Sequence, residues 1–137
     1  MSWKYGAILS IIKLFKMIIL GIDVGLATTG WSILKKDPSL KNGMSLIEYG
    51  VILTSSKSDL GSRLKNIYER VLQIIKEYNP EVMAVESIFY FKNQKTIIDV
   101  SQVRGVLLLA AEVSSIQVFN YTPLQVKTAV TGYGRAD

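Results

Sequence analysis

The sequence predicts an α/β domain: a mixed five-stranded sheet, three strands antiparallel and two parallel, with helices on its faces. Three observations carry this. Residues 17–54 hold three strand-like runs joined by short turn-bearing connections, the pattern of an antiparallel meander. Residues 62–78 then switch to helical spacing. Two further apolar runs, 82–86 and 117–121, are separated by a helix-length segment, and such crossovers lay strands parallel.

Taken in order, residues 1–16 (MSWKYGAILSIIKLFK) are apolar but interrupted by lysines. They lack a small-x-small cleavage site and fall short of the ~18 apolar residues of a membrane span. They are expected to be an extension outside the fold, an accessory amphipathic helix or a targeting segment being the alternatives. The working domain is expected to span 17–137. MIILGID, residues 17–23, is a strand buried on both faces, and GWSILK, residues 30–35, resumes after a glycine-bracketed turn. A loop around Pro38 and Gly43 leads to the third strand, 45–54, where Gly50 marks a bulge or a close backbone approach. Leu64, Ile67, Tyr68, Val71, Ile74, Ile75 and Tyr78 then form one face of a helix that Asn79-Pro80 stops. VMAVE, residues 82–86, is the fourth strand. Residues 93–115 read as a long helix in which Gly105 suggests close packing, and QVFNY, residues 117–121, is the fifth strand. Thr122, Pro123 and Gln125 have the capping pattern of a last helix, ending near Thr131 before Gly132 and Gly134.

Composition narrows the chemistry. The 137 residues include no cysteine and no histidine. Thiolate or imidazole zinc sites, a cysteine nucleophile and a Ser-His-Asp triad are therefore excluded. Catalysis has to rest on carboxylates, Lys, Tyr or Ser/Thr, with a hard cation that prefers oxygen ligands as the natural helper. The net charge of +5 is uneven: residues 1–16 carry three lysines and no acid, residues 17–86 balance eight against eight, and residues 87–136 set five basic groups against two acids. That distribution permits a phosphate-rich partner without requiring one.

Two acids stand where acids rarely do. Asp23 and Glu86 each end an intensely apolar strand, ILGID and MAVE. A carboxylate there has to be paired, hydrogen-bonded or metal-bound, because burying it alone costs several kcal/mol. Functional groups collect at the carboxyl ends of strands in open α/β sheets, and neighbouring strands ~4.8 Å apart let two such side chains reach one divalent cation. Capping of nearby helices is the competing structural role. The loop after Asp23, D-V-G-L-A-T-T-G, also suits the phosphate loop of an actin-like ATPase. In SIFYFKNQK, residues 87–95, three consecutive aromatics stand beside Lys92 and Lys95, which suits base stacking with phosphate contact.

Four blocks in order, IILGIDVGLATTGWSIL, SRLKNIYERVLQIIKEYNPEVMAVESIFYFKN, QVRGVLLLAA and YTPLQVKTAVTGYGRAD, resemble the RuvC family of Holliday junction resolvases. The resemblance runs from Met17 to Asp137 and implies a ribonuclease H-like fold. It implies a homodimer that cuts four-way junction DNA by metal-dependent symmetric hydrolysis in recombination and repair, alongside RuvA and RuvB, in the cytoplasm and without a membrane. By position it implies Asp23 and Glu86 as catalytic metal ligands for two Mg2+ ions, with Mn2+ able to substitute. Lys127 is implied as a catalytic and DNA-contacting basic residue near the scissile phosphate, Phe89 as the aromatic inserted at the junction centre, and Lys92 and Arg104 as further DNA contacts. Val24 stands where the family often has proline. The family carries two further aspartates on a final C-terminal helix that would follow Asp137, so the domain is expected to be incomplete there and weakly active or inactive by itself. A non-catalytic junction-binding module and a fragment of an actin-like ATPase are the alternative readings.

Overall fold

The computed structural model describes residues 16–86 and 94–121. Strands β1 (Met17–Asp23), β2 (Thr28–Lys36) and β3 (Met44–Leu53) are followed by helix α1 (Leu60–Tyr78), strand β4 (Val82–Glu86), helix α2 (Gln94–Val113) and strand β5 (Gln117–Tyr121). The sheet order is β3-β2-β1-β4-β5. β1–β2 and β2–β3 are antiparallel, β1–β4 and β4–β5 parallel. The meander and the two parallel additions are thus as the patterning predicts. β1 is central, with an antiparallel neighbour on one side and a parallel one on the other.

Period-two alternation sends the bulky side chains of the strands to one face. Leu20 and Ile22 of β1, Trp31 and Ile33 of β2, Ile52 of β3 and Met83 and Val85 of β4 join Ile67, Val71 and Ile74 of α1 and Val103 and Leu107 of α2 in one core. Each such side chain taken fully out of water contributes ~1.5–3 kcal/mol, which makes this face the main source of stability. α1 starts at Leu60, two residues earlier than the spacing indicates. Asp59 is its N-cap and accepts from the Ser62 backbone N–H (2.9 Å) and the Ser62 hydroxyl (2.7 Å). Those two hydrogen bonds hold the Asp59 carboxyl below the usual carboxylate range. The helix ends at Asn79, left-handed at φ 50°, directly before Pro80.

Two glycines clarify the packing. At Gly50 a Cβ would fall 2.8 Å from the Trp31 ring, so this position is a close approach. The irregularity in β3 lies elsewhere, between the partners of Ile33 and Leu34. Gly105 does not pack closely among the described residues: it is exposed and a Cβ there meets nothing within 4 Å. It lies on the outer side of α2, away from the Val103 and Leu107 side that enters the core. The segment 1–15, the aromatic-lysine stretch 87–93 and the helix expected after Thr122 lie outside the described residues. Among the described residues, no helix is long and apolar enough to cross a membrane.

Candidate metal-binding acidic pair

Parallel register places the two unusual acids together. β1 and β4 pair from Ile19↔Val82 to Ile22↔Val85, so the next residue of each strand, Asp23 and Glu86, emerges side by side at the carboxyl edge. Because Ile22 and Val85 point into the core, alternation turns Asp23 and Glu86 to the opposite face. Gly30 of β2 stands opposite Asp23, and Tyr121 of β5 stands opposite Glu86. A row therefore crosses four strands in the order Gly30, Asp23, Glu86, Tyr121. A Cβ at Gly30 would approach Asp23 Cβ to 3.5 Å and Oδ2 to 4.0 Å, so glycine keeps that side of the carboxylate clear.

The two carboxyls disfavour one another's charge. Burial first, then the charge of Asp23, pushes the Glu86 carboxyl above its ordinary value of 4.5, and protonated Glu86 can donate a hydrogen bond to Asp23. Two neighbouring carboxyls, one of them held above its ordinary value by burial and by the charge of the other, are an oxygen donor set suited to a divalent cation. Burial also pushes the Tyr121 phenol up, so the hydroxyl at the end of the row stays neutral at physiological pH.

The turn that carries Asp23 is anchored by side chains. Val24 is buried in the core. The fully buried Thr29 hydroxyl donates to the Gly25 carbonyl at 2.5 Å, and the Thr54 hydroxyl donates to the Leu26 carbonyl at 2.5 Å. Arg63 of α1 donates from Nε to Thr54 Oγ1 at 2.9 Å, joining turn, end of β3 and helix in one chain of hydrogen bonds. Thr29, Thr54 and Arg63 are positioning residues that motif reading missed. Their partners are 4, 28 and 9 residues away, a pairing that the strand pattern does not reveal.

Arg104 is half-buried on α2 and donates through its guanidinium to the Asn120 side chain of β5. Asn120 alternates with Tyr121, so this contact lies on the helix-covered side of the sheet, across from the acid pair. Phe89, Lys92 and Lys127 fall outside the described residues. Among those described, no group of three or more His, Cys, Asp or Glu is arranged to hold a metal ion. The described part of the site therefore contributes two carboxylates.

A ribonuclease H-like sheet with a carboxylate pair at the ends of its first and fourth strands defines the class. The family model for crossover junction endodeoxyribonuclease RuvC matches residues 19–137. A RuvC of Fusobacterium nucleatum is 48% identical over 121 residues, covering 88% of this chain and 62% of that protein. One of Halothermothrix orenii is 49% identical over 120 residues, covering 88% of this chain and 71% of that protein. Among solved structures, Thermus thermophilus RuvC in complex with a Holliday junction substrate is similar with a TM-score of 0.80 and 30% identity, over 88% of this chain and 72% of that one. The chain belongs to the RuvC family, and it spans between three-fifths and three-quarters of the length of these relatives.

Proposed function

We propose that this chain supplies the cleavage centre of a nuclease acting on four-way DNA junctions, with Asp23 and Glu86 as the protein's contribution to a Mg2+ site. The observation that carries this is the meeting of those two carboxyls at the ends of adjacent parallel strands on the face opposite the core. A divalent cation held there supplies Lewis-acid polarisation of a phosphoryl oxygen and lowers the pKa of an attacking water, two ions serving a complete site and Mn2+ able to replace Mg2+. Because burial and the Asp23 charge hold the Glu86 carboxyl above its ordinary value, a cation held by the pair would compete with protonation of Glu86, and its affinity would rise with pH. Asp23, with Gly30 leaving its flank clear, would be one of the two carboxylates that hold the cation. Tyr121 closes the far end of the row with a neutral hydroxyl that does not repel phosphate.

Around this centre the family resemblance supports Lys127 beside the scissile phosphate, Phe89 inserted at the junction centre, and Lys92 and Arg104 as further DNA contacts. It also supports RuvA and RuvB as partners and the cytoplasm as the compartment, with residues 17–137 as the working domain. A second copy is supported by α2, whose outer side exposes Ile98, Leu109 and Val113 at 58%, 55% and 59% with the bare Gly105 between them. Eleven and four residues separate the three, which places them on one helical face. Since the resemblance puts two further acids after Asp137, a polypeptide of these 137 residues is expected to cut slowly while keeping junction affinity.

The test uses a synthetic four-way junction and a duplex of equal length. The polypeptide should bind the junction more tightly and nick it slowly in a Mg2+-dependent manner. Asp23→Asn should remove the nicking and leave binding equal or stronger, because one repulsive charge is gone. Equal affinity for both DNAs, or nicking that survives Asp23→Asn, overturns the reading.

A further inference from the structure

The turn that links β1 to β2, residues 24–27, is held at successive backbone carbonyls. Gly25 accepts from the Thr29 hydroxyl, Leu26 from the Thr54 hydroxyl at 2.5 Å, and Ala27 from the Thr54 backbone N–H at 3.0 Å. A single residue just past β3 thus grips two neighbouring peptide groups of the turn that follows Asp23. The Thr54 hydroxyl oxygen in turn accepts from Arg63 Nε at 2.9 Å, which extends the chain of hydrogen bonds to the first turn of α1.

Arg63 is spent on this contact where helical spacing offers it another. Asp59, four residues earlier, is the natural ion-pair partner. The structure gives the Asp59 oxygens to Ser62 instead, and no carboxylate pairs with Arg63 among the described residues. Arg63 is half-buried, and the bond to Thr54 is its one hydrogen bond among those residues. A charged donor polarises the hydroxyl that it reaches, so the bond that Thr54 passes on to Leu26 is strengthened.

The consequence falls on Asp23. Pairing opposite Gly30 fixes its backbone on the strand side, and the turn fixes it on the other. The direction in which its carboxylate leaves the sheet depends on both. Mg2+ takes oxygen ligands at about 2.1 Å with little tolerance, and such a donor set has to be held within about 0.5 Å.

We infer that Arg63 and Thr54 form a relay from α1 that orients the Asp23 carboxylate for cation binding, Arg63 acting through Thr54 and Thr54 through the Leu26 carbonyl. The inference rests on the reading of Asp23 and Glu86 as a metal-binding pair and assigns two positioning residues that set its affinity. Neither is a ligand of the cation.

The experiment measures Mn2+ binding to the full chain by water-proton relaxation, without DNA, with Asp23→Asn as the background. Thr54→Val and Arg63→Met should each weaken binding by about three- to tenfold, less than the 10–100-fold typical of a group bonded directly to a metal ligand. Thr54→Ser keeps the hydroxyl, and Arg63→Gln puts an amide nitrogen where Nε stands; both should recover most of the loss. The Thr54→Val/Arg63→Met double variant should bind about as well as the weaker single one, because both changes break the same relay, whereas independent effects would multiply. In the metal-free protein, amide exchange over residues 24–28 should quicken in the Val and Met variants and stay at the wild-type rate in the Ser and Gln variants. If Thr54→Val does not fold, the two Arg63 variants decide. Wild-type affinity in the Val and Met variants, or equal losses in the conservative and the disruptive ones, overturns the inference and leaves the metal-binding pair standing. A wild-type chain that binds Mn2+ no better than Asp23→Asn overturns the parent reading, and the relay with it.

Discussion

Replacing Gly25 by alanine probes how firmly the turn after Asp23 is set. A Cβ at this position would lie 2.3 Å from the Thr28 carbonyl oxygen and 3.3 Å from its carbon. Both are backbone atoms, so no side chain can swing aside to relieve the contact. The turn has to move by most of an ångström, and such overpacking costs ~1–3 kcal/mol. That movement also pulls the Gly25 carbonyl from the Thr29 hydroxyl, which is fully buried. A buried hydroxyl left without its partner adds ~1–3 kcal/mol. Together these amount to about 2–6 kcal/mol, a large part of the stability of a domain this size. At ~3–4 °C per kcal/mol, thermal unfolding followed by far-UV circular dichroism should show a loss on the order of 10–20 °C. Thr29→Val serves as the control, removing the hydroxyl without the clash, and its loss should be distinctly smaller. A Gly25→Ala melting temperature within ~2 °C of wild type would refute the reasoning, since it would mean that the turn is not confined.

Other tests address the acid pair, the junction contact and the dimer. Glu86→Gln should stabilise the metal-free protein by a few degrees at neutral pH. Because the folded-state pKa of Glu86 is raised, the native state binds more protons than the unfolded chain, and wild-type stability falls as pH climbs from 4.5 through the raised value. The glutamine variant should lack that slope and should lose the stabilisation that Mg2+ gives to wild type; an unchanged pH–stability curve would detach Glu86 from Asp23. Phe89→Ala should impair junction distortion and cutting far more than duplex binding, and equal losses on both DNAs would point to a folding defect instead. Leu109→Glu should convert a dimer into a folded monomer, as seen by light scattering; a wild-type monomer at high concentration, or a variant that stays dimeric, removes α2 as the interface.

Much of this molecule is readable along the chain, for a physical reason that applies element by element. Strand and helix periods are local, so the meander, α1 and α2 follow from spacing, and Asn79-Pro80 ends α1 by backbone sterics alone. The oddness of Asp23 and Glu86 is local too, since each terminates a run that otherwise excludes charge. Gly105 shows the limit of that reading. A glycine within an apolar helix is compatible with either a close contact or an open surface, and only the placement of α2 against the sheet reveals that its side of the helix faces outward.

What local pattern could not contain is which strands become neighbours. Nothing between residues 23 and 86 encodes that β4 inserts beside β1, and it is this parallel pairing that brings two carboxyls into mutual repulsion. The same holds for Thr54 and Arg63 bracing a turn 28 residues upstream of Thr54. The composition restricted this chain to oxygen-ligand chemistry, and the strand ends singled out the acids that could perform it. Their proximity arises only when one hydrophobic face is buried under α1 and α2, because that burial sets the strand order and turns the polar residues of the strand ends to the opposite side.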